Sequence, residues 1–247
     1  MLLNSIFIKF LSSALSLIFN LTLLFFLSNF LSKFEFGLFN YLTTIGSQLI
    51  FILTSGFSRS YVHFYSQNTL IKNEIVKTYI QVNMIIIIVF IILTQFIIFN
   101  EFFNNLIFDN KIEYLLINLG LLSGLLNYTF EKVGEIYDSD QFSIKFDFVK
   151  VFLRLIVLLT VFILYCFEFL NLITFLVSFI VLNSLSIIML LKNYYTKNIK
   201  KTISILKILK QLSIYYFVFA PFTVLVGVYE LLYRVVINSD LGIKEQG

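Results

Sequence analysis

Long apolar runs, each closed by a cluster of polar or charged residues, recur along this chain. A bilayer core about 30 Å thick needs roughly 20 predominantly apolar residues for one helical crossing. Seven stretches answer to that: 10–31, 38–57, 79–99, 114–130, 148–167, 170–191 and 214–237. The fourth is the weakest, diluted by Asn118, Gly120, Gly124 and Asn127. Periodicity does not separate such runs from buried strands, but length does. Only helices and closed barrels satisfy their backbone polar groups in hydrocarbon. Barrel strands alternate polar and apolar residues over about ten positions, and these runs do not. The expected fold class is all-α, a polytopic membrane helix bundle of about seven transmembrane helices.

Polar residues inside these runs fall into stripes. Lys9, Ser13, Ser16 and Asn20 share one helical face in the first span. Thr44, Gln48, Ser55 and Arg59 do so in the second, and Thr223, Gly227, Glu230, Arg234 and Asn238 in the seventh. The middle of the third span, 84–93, is purely apolar and is expected to face lipid. Polar groups in hydrocarbon usually face a bundle interior or a watery cavity. Two readings of the stripes stay open: a shared polar cleft holding cations, or interhelical hydrogen bonds that hold the bundle together. Arg59 lies near the inner boundary. Arg234, about 20 residues or roughly 30 Å beyond Ile214, lies near the outer one. Either could snorkel to its interface, and Glu230 and Arg234, one turn apart, could neutralise each other. Gly120 and Gly124 form a G-x-x-x-G that permits close helix approach. Pro221, the only proline, removes a backbone donor within the seventh span, so a kink is expected there. With Gly227 it forms a candidate hinge.

Composition excludes a soluble domain. Of 247 residues, 59% are hydrophobic and 13% charged, and 31 are Phe. The lone Cys166 forms no internal disulfide, and the lone His63 rules out a multi-histidine metal site. Trp is absent, so Tyr must supply any interfacial aromatic belt. The first run is too long for a signal-peptide core and no small-residue cleavage site follows it, so it reads as an uncleaved span. Lys and Arg set the orientation. Lys9, Arg59, Lys72, Lys77, Lys132, Lys145, Lys150, Arg154, Lys192, Lys197, Lys200, Lys201, Lys207 and Lys210 fall on one side; Lys33, Lys111 and Lys244 fall on the other. The positive-inside rule makes the N-terminus cytoplasmic. The basic stretch 192–210 reads either as an ordinary inner anchor or as an amphipathic segment on the anionic leaflet. Asp138-Ser139-Asp140 imitates a sugar-nucleotide metal motif, but no segment is long enough for a nucleotide-binding domain, and the aspartates read as part of a solvated inner loop. Nothing argues for catalysis, a cofactor, a metal or a nucleic-acid partner.

The stretch LSKFEFGLFNYLTTIGSQLIFILTSGFSRSYVHFYSQ (31–67) carries Glu35-Phe36-Gly37-Leu38-Phe39, Gly56 and His63-Phe64-Tyr65. With Pro221 followed by YELLYRVVINSDLGIKEQG (229–247), it resembles bacterial polysaccharide transporters of the O-antigen flippase type. These belong to the multidrug/oligosaccharidyl-lipid/polysaccharide flippase superfamily. The resemblance implies a six-helix N-terminal lobe with a basic inner linker over 1–213, and over 214–247 the first helix of an incomplete second lobe. The family often has Arg at the position of His63 and Asp at that of Tyr233. The implied function is export of a polyprenyl-pyrophosphate-linked oligosaccharide across the bacterial inner membrane for O-antigen or capsule synthesis. The implied partners are that lipid, membrane lipids, and a missing C-terminal lobe or other polysaccharide-assembly proteins. Arg59 and Arg234 would attract the anionic head, with Lys9, Gln48 and Glu230 contributing and Pro221 and Gly227 as the hinge. A small-molecule exporter of the same superfamily, a glycan polymerase or ligase, and a non-transporting membrane fragment are the alternatives.

Overall fold

The computed structural model of this chain describes residues 2–54, 56–67, 71–108, 112–140, 143–195 and 205–241. Every regular element among them is a helix: α1 (Leu2–Phe30), α2 (Lys33–Thr54), α3 (Phe57–Gln67), α4 (Lys72–Phe99), α5 (Glu101–Ile107), α6 (Tyr114–Ser139), α7 (Ser143–Cys166), α8 (Leu172–Tyr195) and α9 (Ile205–Leu241). Six of these, α1, α2, α4, α7, α8 and α9, contain stretches long and apolar enough to cross a membrane. Helix α6, the expected fourth span, is long enough but too polar to join them. It nevertheless runs through the middle of the bundle against α2, α7, α8 and α4.

Local chemistry sets several helix ends. Ser32 and Glu35 form a reciprocal capping box at the start of α2: Ser32 N–H and Oγ donate to the Glu35 carboxylate at 3.0 and 2.8 Å, and Glu35 N–H donates to Ser32 Oγ at 3.2 Å. Asn171 and Thr174 exchange bonds the same way before α8. Helix α7 stops at a left-handed residue, Glu168 at φ 59°, after which Phe169 N–H returns to the Leu164 carbonyl at 2.9 Å. Gly56, at φ +79°, ends the path of α2 and lets α3 turn away. A Cβ there would also lie 2.9 Å from the Ala220 backbone nitrogen of α9.

Contacts at the two ends fix the helix directions. The start of α1 meets the end of α6 through Lys9 and Asp138, the start of α4 meets it through Tyr79 and Glu135, and the end of α8 meets it through Leu190 and Tyr137. At the opposite end, Phe30 stacks on Tyr165 and Phe39 packs edge-on against Phe175. Helices α1, α4, α7 and α9 therefore run one way, and α2, α6 and α8 the other. Lys9, Arg59, Lys72, Lys77, Lys132, Lys145 and Lys150 gather towards the end where α1 begins, while Lys33 and Arg234 belong to the other.

The sequence stopped several helices too early. The expected loops 58–78 and 131–147 are largely helical: α3 and the first turns of α4 occupy one, the last turns of α6 and the start of α7 the other. Helix α9 begins at Ile205, nine residues before the expected 214, and packs on α3 and α2. The residues 196–204 of the basic stretch, and Ser55, Lys111 and Lys244, lie outside the described residues.

Candidate functional site

The second polar stripe assumed one helix from Thr44 to Arg59, and the break at Gly56 corrects that. Thr44 and Gln48 stay on α2, whereas Arg59 is exposed on the separate helix α3. The seventh stripe is continuous, because α9 runs unbroken through Pro221. Its face lies against α2: Thr223 and Gly227 are buried, and Gln48 Nε2 donates to Glu230 Oε2 at 2.5 Å. A Cβ on Gly227 would sit 2.7 Å from Ile52 Cγ1 and 3.1 Å from the Phe51 ring, so glycine there serves close helix contact. Pro221 is exposed.

The register Gly56–Ala220, Ile52–Gly227 and Gln48–Glu230 also separates the two arginines. Arg59 follows the Gly56 contact, whereas half-buried Arg234 lies 14 residues beyond Ala220, about 20 Å along α9 at 1.5 Å per residue. The structure thus brings Gln48 and Glu230 together and holds Arg59 and Arg234 towards opposite ends. Lys9 pairs with Asp138 at 3.6 Å, with both side chains about half exposed or more; such surface pairs contribute little stability.

A cavity lies elsewhere. Helices α4, α6 and α8, with the end of α2, enclose a cleft of about 380 Å³. Its length is lined by Ile87, Leu122, Leu125, Leu126 and Ile187, and Met84, Ile91 and Ile188 at its margin are exposed on the outer surface of the bundle. The end of the cleft nearest the start of α1 carries polar groups. Lys132 Nζ donates to Glu135 Oε1 at 2.6 Å and sits 4.8 Å from the Tyr128 ring centroid, within cation–π range. The Tyr128 hydroxyl bonds Thr54 Oγ1. Tyr79, only 1% exposed, donates to Glu135 Oε2 at 3.3 Å and lies 3.2 Å from Ser58 Oγ. Glu135 therefore has two partners, while the Lys132 ammonium has three protons and gives one to Glu135.

An aromatic floor supports this end. Tyr61 stacks on Tyr79 with centroids 4.1 Å apart, and Tyr65 donates to Asp140. Burial pushes the Tyr61 hydroxyl well above its ordinary pKa, and the nearby Asp140 and Glu135 push the same way. The group stays protonated and serves as a packing element. Asp138, Ser139 and Asp140 are engaged by Lys9, the Glu135 carbonyl and Tyr65 respectively. Chemically, the cleft offers an apolar wall along its length, with the Lys132 ammonium and the Tyr128 and Thr54 hydroxyls at one end.

A span ending at Phe130 leaves Lys132 and Glu135 in a loop, whereas both lie on α6 beside this cleft. The signal was present: Tyr128, Lys132, Glu135 and Ser139 recur at intervals of four, three and four, a stripe cut off by ending the span at Phe130.

No protein-family model matches this chain, and no curated protein or solved structure matches it. The fold itself defines the class: a multi-pass, all-helical membrane bundle.

Proposed function

We propose that the chain carries an anionic, lipid-linked oligosaccharide of the polyprenyl-pyrophosphate class from the inner to the outer leaflet of a bacterial plasma membrane. In this reading it acts as a carrier rather than an enzyme, with its N-terminus cytoplasmic. One observation supports the reading above the others. The α4–α6–α8 cleft joins a long apolar wall to a single cationic, hydroxyl-rich end beside the Lys-rich end of the bundle. A prenyl chain matches the wall and a pyrophosphate matches Lys132. The resemblance of segments 31–67 and 229–247 to polysaccharide flippases points the same way, and the gathering of Lys and Arg near the start of α1 supports the orientation. Transport by rocking one lobe against another would need a second lobe as partner, so substrate binding is the activity to measure first.

The test uses the full chain in phosphatidylcholine nanodiscs, titrated with a fluorescent short-chain prenyl pyrophosphate and with the matching uncharged prenol. The pyrophosphate should bind more tightly, and Lys132→Gln should weaken it roughly tenfold while leaving prenol binding unchanged. Equal affinity for both probes, or a folded Lys132→Gln protein that binds normally, defeats the assignment. Displacement by a lipophilic cation at low concentration would favour the small-molecule exporter instead.

A further inference from the structure

On the far side of α6 from that cleft, α1, α2, α6, α7 and α8 surround a second chamber of about 230 Å³. Arg154 of α7 reaches it, and Asn20 of α1, Thr43 of α2, and Ser123 and Asn127 of α6 line it. Arg154 follows Ser143 by 11 residues, about 17 Å along a helix of 24 residues, which places it near mid-span. Asn20 is similarly central in the apolar stretch Phe7–Phe30. A guanidinium at that depth is costly unless something satisfies it.

The antiparallel rungs between α6 and α7 show what satisfies Arg154 and what does not. Lys150 takes the Glu131 carboxylate, at 2.9 and 3.2 Å. One turn deeper, Arg154 Nη2 meets the neutral amide oxygen of Asn127 at 3.4 Å. Glu131 still acts on Arg154 electrostatically, but its oxygens are held by Lys150. Among the described residues no partner accepts from the buried Arg154 Nε, and no carboxylate lines the chamber. Side chains of two asparagines from separate helices and one guanidinium thus line one partly open chamber. The planar fork of Arg fits oxyanions through paired hydrogen bonds, and about 230 Å³ far exceeds the roughly 30 Å³ share of one water.

We propose that the Arg154 chamber is an intramembrane binding site for a phosphate-type oxyanion, borne by a lipid headgroup or free. Arg154 binds it through charge-assisted hydrogen bonds, and Asn20 and Asn127 donate from the opposite walls. This site is separate from the Lys132 cleft and does not depend on the carrier reading.

The chain has no Trp, so Leu24→Trp, at the exposed edge of the chamber, provides a single fluorescent reporter in the full-length protein. Nanodiscs of phosphatidylcholine are titrated with inorganic pyrophosphate, and parallel discs contain increasing phosphatidic acid with no added anion. A saturable change is expected in at least one arm: in the first for a free anion, in the second for a headgroup. Arg154→Gln should raise the half-saturation point at least roughly tenfold, Arg154→Lys less, and Asn20→Leu about threefold. Asn20→Leu leaves the Arg154–Asn127 contact intact, so it reports even if the arginine variants do not fold. Three results overturn the site: no saturable response in either arm, a response that chloride at equal ionic strength reproduces, or responses unchanged in the folded variants.

Discussion

Helices α4 and α6 are similar in length, 28 and 26 residues, and touch each other, yet they follow opposite composition rules. The middle of α4 is an unbroken run of Met, Ile, Val and Phe, and Met84, Ile85, Ile88, Val89, Ile91 and Ile92 are exposed on the bundle's outer surface. Helix α6 carries Asn, Ser, Gly, Thr, Lys and Glu, and buries Ile117, Gly120, Leu121, Ser123, Gly124 and Leu125 among its neighbours. In water the apolar helix would be the hidden one. In lipid, exposure gives no penalty to hydrocarbon, so apolarity marks the outside, while small and polar residues mark the surfaces where helices approach closely. The lesson of the pair is that the weakest membrane-span signal in the sequence belongs to one of the two most enclosed helices.

The sharpest way to break the contrast is at Gly124. Its Cβ would stand 2.4 Å from the Thr43 carbonyl oxygen and 2.8 Å from the Ser47 nitrogen, both backbone atoms of α2. Gly46, facing it, is equally tight, with a Cβ site 2.6 Å from the Leu121 carbonyl. Neither helix can yield by rotating a side chain. Gly124→Ala improves helix propensity by about 1 kcal/mol, but overpacking a closed interface costs about 1–3 kcal/mol. Clash with backbone puts this site at the upper end, about 3 kcal/mol. A net destabilisation of about 2 kcal/mol is expected in reversible unfolding from bicelles, by the difference of these two terms. A neutral or stabilised Gly124→Ala protein would mean that α2 and α6 are not so close.

The G-x-x-x-G spacing had already marked that contact, because backbone approach depends on residue size and one sequence displays size directly. The same holds for the lipid face of α4, because a helix side bathed in acyl chains carries an unbroken apolar run and a sequence shows such a run directly. Helix extents outside hydrocarbon were less legible. The turns from Glu131 to Ser139 are polar, and no length requirement distinguishes a polar helix from a loop; only the stripe Tyr128–Lys132–Glu135–Ser139 hinted at it. Arg59 is hard to place for a related reason: helical spacing from Thr44 passes through Gly56, whose positive φ redirects the chain. Partners were not legible at all. A stripe names a face but not what it meets, so Gln48 and Glu230 each stood out while their hydrogen bond across α2 and α9 did not. The Arg154 chamber needs five helices to exist: Asn20 stands on the first stripe, but nothing in the sequence joins it to Asn127 or Arg154.

That Gln48–Glu230 bond tests the middle of the scale. Interhelical hydrogen bonds in membranes average about 0.6 kcal/mol and reach about 1.7. A double-mutant cycle with Gln48→Leu and Glu230→Leu should give a coupling of about 1 kcal/mol, within that range because the bond involves a carboxylate. Glu230→Gln, which keeps an acceptor, should lose only part of it. Zero coupling would turn this stripe of α9 into mere neighbourhood, and would leave Gly227 as the chief reason for the close approach to α2.

The smallest effect belongs to the lipid face itself, and its smallness is the point. Ile92 is 65% exposed, whereas Phe90, two positions earlier, is 1% exposed. For a soluble protein, truncating either would be judged by the area withdrawn from water. Here the separated helices of the unfolded state stay in the same bilayer, so Ile92 meets acyl chains before and after folding and its removal cancels. Ile92→Ala should change unfolding stability by no more than about 0.5 kcal/mol, the range of substitutions away from packed contacts. Phe90→Ala, which opens a cavity between α4 and its neighbours, should cost about 3 kcal/mol. Running both in bicelles and then in a short-chain detergent separates solvent from packing. The Phe90 effect should persist in both, and the Ile92 effect should stay near zero wherever hydrocarbon covers the helix. If Ile92→Ala destabilised the protein as much as Phe90→Ala, that face of α4 would be packed against protein, and α4 would no longer be the outside against which α6 is the inside.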